Sequence, residues 1–199
     1  MSIRLNKFFD KIILASASPA RRQILLEQGL DVEVRPTNSD ESLDDLEDLK
    51  IEEQIEELAK RKLKSYEMKY GLSAIPVLCC DTLVYFENTL VGKANSKEEA
   101  FETLLNFSDK HQMVYTGYSL YLPKFGIYSG CDEATVLFKH LDPEFIRNYI
   151  KTGEWEGAAG SYRIQGKGRT LIKDTLGDFN TIVGLPLSVI SDLMKSTLS

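Results

Sequence analysis

Residues 11–36, KIILASASPARRQILLEQGLDVEVRP, constrain the fold more than any other stretch, because they read as strand, helix, strand with almost no linker. The run at 11–15 is short and β-rich. Ser18 suits an N-cap and Pro19 the first helical position, so a helix starts there, carries Ile24, Leu25 and Leu26, and stops near Gly29. A second strand follows at 31–36. The start of this helix has an electrostatic anomaly. It holds the positive end of the helix dipole, and Arg21 and Arg22 add positive charge where acids are preferred, at about 0.3 to 1 kcal/mol per charge. A negative partner is expected there.

Alternation continues downstream. Residues 51–71 form a helix with Ile51, Ile55, Leu58, Leu63 and Tyr66 in helical register and Gly71 as its stop. Residues 75–86 are an apolar strand run interrupted by Asp81 and Thr82, and 87–94 turn after it. A helix capped by Ser96 covers 96–107, and 111–138 read as a long hairpin broken at 123–126. Asp142 caps a further helix with Pro143 at its first position and Gly153 as its stop. A Gly-rich region at 156–186 precedes a closing helix from Pro186. The class is α/β, with antiparallel pairs in the second half making the sheet mixed. No repeat or low-complexity linker interrupts it, so residues 1–199 read as one domain.

With 43% apolar and 27% charged residues the chain is composed like an ordinary folded protein. Its net charge of −6 argues against sequence-independent binding to nucleic acid, which needs a basic stripe. Ten acids and one base, Lys50, lie between Asp40 and Glu57, so this segment carries −9 and the remainder about +3. It reads as a solvated loop and helix face, with any function confined to its edge. Asp10 and Lys11 break the N-terminal apolar run before signal-peptide length, and no run approaches the roughly 18 apolar residues of a membrane span. Cys79, Cys80 and Cys131, with His111 and His140, fit neither a disulfide framework nor a zinc spacing. A reducing, cytoplasmic setting is expected, with Cys79 and Cys80 as packed thiols.

Asp81 ends an apolar strand run, where a carboxylate has to be hydrated, paired or metal-bound. It is either a turn or capping group or part of a ligand site at the strand end. Lys93, after a hairpin that would return it to the same end, is by itself an ordinary surface lysine. The glycines of IQGKGRT match neither a P-loop nor a dinucleotide fingerprint. Gln165 offers a donor and an acceptor suited to a base edge, or is simply a turn side chain. Cations at a helix start, acids for a divalent ion and an amide for a base together fit a polyphosphate ester.

Five stretches in order carry a resemblance across nearly the full length: ILASASPARRQILL, CDTLV, LVGKANSKEEAFETLL, AAGSYRIQGKG and GDFNTIVGLPL. They resemble the Maf (septum formation inhibitor-like) nucleoside triphosphate pyrophosphatases. The resemblance implies hydrolysis of a nucleoside triphosphate to monophosphate and pyrophosphate with a divalent cation, Mg²⁺ or Mn²⁺. It also implies an elongated mixed sheet flanked by helices, in two lobes with a central cleft, and a homodimer. By the same resemblance Asp81 is the proton acceptor for the attacking water, and Ser16, Arg21 and Lys93 bind phosphates. Lys62 matches a lysine on the long helix, and Glu41 a metal-linked or water-positioning acid, making Glu41 and Asp81 the metal ligands. Three positions, Ala20, Thr82 and Gln165, match substrate-selecting sites. Thr82 and Gln165 agree with the thymidine and uridine triphosphate type, modified nucleotides included, while Ala20 fits neither that type nor the 7-methylguanosine triphosphate type. Ala94 replaces the family's proline after the turn lysine. The alternatives are a 7-methylguanosine triphosphate pyrophosphatase, a nonspecific phosphatase and a nucleotide-binding cell-division regulator with incidental turnover.

Overall fold

The computed structural model describes residues 4–198, leaving the ends of the expected 1–199 domain outside the description. After a short 3-10 turn at Leu5–Lys7 come β1 (Lys11–Leu14), α1 (Pro19–Glu27), β2 (Asp31–Val34), α2 (Ile51–Tyr70), β3 (Val77–Phe86) and β4 (Thr89–Leu90). There follow α3 (Lys97–Phe107), β5 (His111–Leu122), β6 (Gly126–Phe138), α4 (Pro143–Ile150), a 3-10 turn at Lys167–Leu171, β7 (Ile172–Leu176), α5 (Phe179–Val183) and α6 (Leu187–Leu198). The strands form one seven-stranded sheet in the order β2-β1-β3-β5-β6-β7, with β4 paired to β3. It is mixed as expected. β1 runs parallel to β2 and to β3, whereas β4 against β3 and β7 against β6 are antiparallel.

Local chemistry sets the helix starts. The Ser18 hydroxyl accepts the Arg21 amide at 3.3 Å, Ser96 accepts that of Glu99 at 3.1 Å, and Asp142 accepts those of Glu144 and Phe145 at 3.0 and 2.9 Å. Glu87 and Asn88, both at positive φ, make the two-residue turn between β3 and β4. Within the Gly-rich region the sequence reading missed β7 and α5. Its glycines and exposed polar residues masked a five-residue strand that pairs along β6 with a register shift between Leu137 and Phe138.

The chain divides into two compact units, and the division falls inside β3, β5 and β6. The first takes the chain through Thr82, then Thr116–Asp132, then the part from Gly184 onward. Its core includes Ile13 of β1, Ala15 just beyond that strand, Val77 and Cys79 of β3, and Leu63 and Tyr66 of α2. Gly117 on β5 lets α2 come close, because a Cβ there would lie 2.3 Å from the Ile55 carbonyl oxygen. The second unit, Leu83–Tyr115 and Glu133–Val183, is built around a chain of rings. Phe86, Phe107, Phe138 and Tyr162 follow one another at centroid separations of 4.9, 4.9 and 5.3 Å. Among the described residues no helix is long and apolar enough to cross a membrane.

Candidate active site

In the first unit β3 is buried on both faces from Val77 to Cys80 and opens to solvent at Asp81. That is why the apolar run breaks at a carboxylate, which lies in the middle of β3 and not at the strand end, turn or cap that the sequence suggested, because the strand continues through Phe86. One Asp81 oxygen accepts the Thr82 amide at 2.9 Å, and the other lies 3.2 Å from Lys62 Nζ. Lys62, pointing from α2, also pairs with Glu41 at 2.6 Å. The segment between β2 and α2 is irregular, and α2 ties it down: Ser65 donates to the Asn38 carbonyl at 2.6 Å and Arg61 to that of Ser42 at 3.0 Å. Glu41 thereby faces Lys62 while the rest of the acidic run stays at the surface. One cation thus bridges two carboxylates.

A second cation lies beside this group without a carboxylate partner among the described residues. Arg21 donates from Nε to the Gly184 carbonyl at 2.6 Å, from Nη1 to Ser16 Oγ at 3.1 Å and from Nη2 to Thr82 Oγ1 at 3.1 Å. All three acceptors are neutral, so the guanidinium is oriented but keeps its full charge. Ser16 is equally specific. Its oxygen accepts from Arg21 and from the Ser18 amide at 3.2 Å, which occupies both lone pairs and leaves the O–H to donate outward. Arg22, also expected to meet an anion, is exposed and takes no part in this arrangement. Ala20 lies half-buried in the first turn of α1.

Burial pushes the Cys80 thiol up to about 11, with Arg21 opposing the rise, Asp81 adding to it and Lys62 opposing it. Burial likewise pushes Cys79 far above the usual thiol range. Both are 0% exposed, which fits packed thiols next to the site and not nucleophiles.

The second unit carries the other two expected residues. Lys93 is exposed and its backbone bridges Ala159, while the Gly160 amide donates to the Gly92 carbonyl at 3.2 Å. The lysine turn is thus joined to the AAGSYRIQG stretch. Gln165 is exposed in a turn of that stretch, ahead of the Gly168 amide, which donates to Glu154 at 3.2 Å. A groove of about 380 Å³ between α3 and α4, floored by Phe101 and Ile150, contains none of the expected residues. Sequence reasoning missed Thr116 and Gly184. Gly184 stood inside a quoted motif with no role attached, and Thr116 gave no signal inside its strand.

No three or more His, Cys, Asp or Glu residues cluster to cage a metal ion among the described residues. Two carboxylates still fit Mg²⁺, which commonly takes one or two from the protein and the rest of its oxygens from phosphates and water.

Residues 11–197 match the family described as Maf-like protein. The chain belongs to this family. Among Maf-like relatives, a protein of Thermoanaerobacter sp. (strain X514) named dTTP/UTP pyrophosphatase is 38% identical over 186 residues, covering 93% of this chain and 95% of that protein. One from Caldicellulosiruptor bescii with the same name is 36% identical over 199 residues, covering 94% and 99%. Among solved structures, a nucleoside-triphosphatase / dITP/XTP pyrophosphatase from Mycobacterium abscessus superposes with a TM-score of 0.38 at 13% identity, covering 66% of this chain and 75% of that one.

Proposed function

We propose that this Maf-like chain hydrolyses nucleoside triphosphates to nucleoside monophosphate and pyrophosphate, with dTTP and UTP as the preferred type. The observation that carries the reading is the carboxylate of Asp81, paired to Lys62 and placed one residue from the group that holds an uncompensated Arg21. The names of the relatives, dTTP/UTP pyrophosphatase, supply the substrate class. Gln165 agrees with that type, and Ala20, lacking a long side chain, leaves more room beside the base.

In the reaction, water attacks the α-phosphorus and the bond from that phosphorus to the bridging oxygen breaks. Asp81 takes the proton of the attacking water. Arg21, Ser16 and Lys93 hold the phosphates, and Arg21 stabilises the charge that develops on the departing pyrophosphate. Lys62 keeps the carboxylates of Asp81 and Glu41 in register. When bound, Mg²⁺ or Mn²⁺ held by Glu41 and Asp81 neutralises charge on the phosphate oxygens. We take residues 1–199 as a single domain that works as a homodimer in the cytoplasm.

The test is product analysis by ion exchange, with purified protein, Mg²⁺ or Mn²⁺ and a panel of canonical and modified triphosphates. Monophosphate and pyrophosphate are expected, fastest from dTTP and UTP. Asp81→Asn should abolish turnover while nucleotide affinity is largely kept. Release of orthophosphate would make the chain a nonspecific phosphatase, and no turnover across the panel would leave a binding role.

A further inference from the structure

Thr82 occupies a position that the resemblance assigns to base selection, yet its hydroxyl is engaged elsewhere. It accepts from Arg21 Nη2 at 3.1 Å and shares a hydrogen bond with Thr116 Oγ1 at 3.0 Å. Thr116 is 0% exposed, so it reaches no ligand directly. Gly184 closes the third side. Its φ is +108°, and an added Cβ would stand 3.1 Å from Thr82 Oγ1, 3.2 Å from Arg21 Nε and 3.3 Å from Arg21 Nη2.

We propose that Thr82, Thr116 and Gly184 are positioning residues that lock the Arg21 guanidinium, so that Thr82 affects the reaction through the phosphates and does not read the base. The inference deepens the reading of this site as triphosphate-binding and rests on it. A guanidinium is planar with five N–H groups. Acceptors on Nε, Nη1 and Nη2 fix both its plane and its rotation, and they leave one N–H on each terminal nitrogen for an anion. A hydroxyl has one proton and two lone pairs. With Arg21 on one lone pair and Thr116 as its other neighbour, the Thr82 oxygen is held in place from behind by a buried side chain. Gly184 supplies its carbonyl where a Cβ would crowd Thr82 and the guanidinium by a few tenths of an ångström.

The test has two arms. In the first, the Arg21 Nε–H is followed by ¹H–¹⁵N NMR, assigned by its loss in Arg21→Lys. It should exchange slowly in the unaltered protein and in Thr116→Ser, which keeps the hydroxyl. In Thr116→Val, Thr82→Val and Gly184→Ala exchange should quicken by about tenfold or more, because a guanidinium that loses its Nη2 partner or is crowded at residue 184 leaves the Gly184 carbonyl more often. Unchanged exchange in folded Thr116→Val and Thr82→Val would overturn the lock. Inorganic pyrophosphate should shift this resonance, and more weakly in Thr116→Val; a resonance indifferent to pyrophosphate in the unaltered protein would overturn the phosphate role.

In the second arm, kcat/KM is measured for dTTP, UTP, dATP and dGTP. Thr82→Val should lower all four by a similar factor, about 10- to 100-fold for a displaced catalytic contact, and keep their order. A changed order with the Arg21 resonance intact would make Thr82 a base-reading residue and sink the proposal. Should the unaltered protein hydrolyse no triphosphate, the proposed reaction fails while the first arm still decides the lock.

Discussion

Arg21 and Arg22 are adjacent and equally charged, but only the first is turned toward Ser16, Thr82 and Gly184. Its charge meets no carboxylate among the described residues, whereas Lys62 meets two. The dipole penalty at the start of α1 is therefore retained in the free protein, and an anion bound there would offset it. The thiols show the same economy of placement. Cys79 and Cys80 are packed in β3, and Cys131 is half-exposed. At pH 8 Ellman's reagent should titrate Cys131 alone in the native protein and all three thiols after unfolding. Because the native Cys80 thiol sits at about 11 against an ordinary 9.0, the folded state holds a proton that the unfolded state loses first. Its contribution to stability is complete below 9.0 and is lost as pH rises to about 11, which denaturant titrations of the unaltered protein and Cys80→Ala would separate.

Among the elements, α2 does most to place the site. Its apolar side packs Leu63 and Tyr66 inward, while Arg61, Lys62 and Ser65 along its length hold the irregular segment that brings Glu41. The approach of β5 to α2 depends on Gly117, with no room for a methyl group against the Ile55 carbonyl. Gly117→Ala should cost about 1–3 kcal/mol, the usual range for overpacking, measured as a lower urea midpoint with unchanged slope. It should also weaken triphosphate binding, since α2 carries Lys62.

Over the whole molecule the charge is lopsided, −9 within residues 40–57 and about +3 elsewhere, and the acids are mostly at the surface. None of the three cysteines forms a disulfide, so no covalent cross-link contributes to stability. A reducing agent should leave the melting temperature unchanged. A nonhydrolysable triphosphate at about a hundred times its Kd should add about 2.7 kcal/mol, or roughly 5–10 °C for a chain of this size, and Arg21→Ala should diminish that shift at the same concentration. Differential scanning fluorimetry reads both outcomes.

Much of the architecture was written locally. Ser18–Pro19, Ser96 and Asp142–Pro143 mark helix starts because capping involves residues two or three apart, and the long hairpin from His111 is announced by its β-branched and aromatic pattern. Asp81 at the end of an apolar run was legible for the same reason, as a local conflict between charge and burial. β7 was not, since a short strand with exposed residues is defined by its partner β6 and not by its own composition. Residues that act through others were also invisible. Thr116 lies 34 positions from Thr82, and Gly184 lies 163 from Arg21. The sequence by itself determined the α/β class, the capped helix starts, the family and the charged residues proposed for the site. Only tertiary structure decided that Lys62 bridges Asp81 and Glu41 and that Arg21 keeps its charge uncompensated, because hydrogen bonds between distant segments depend on where the chain returns in space.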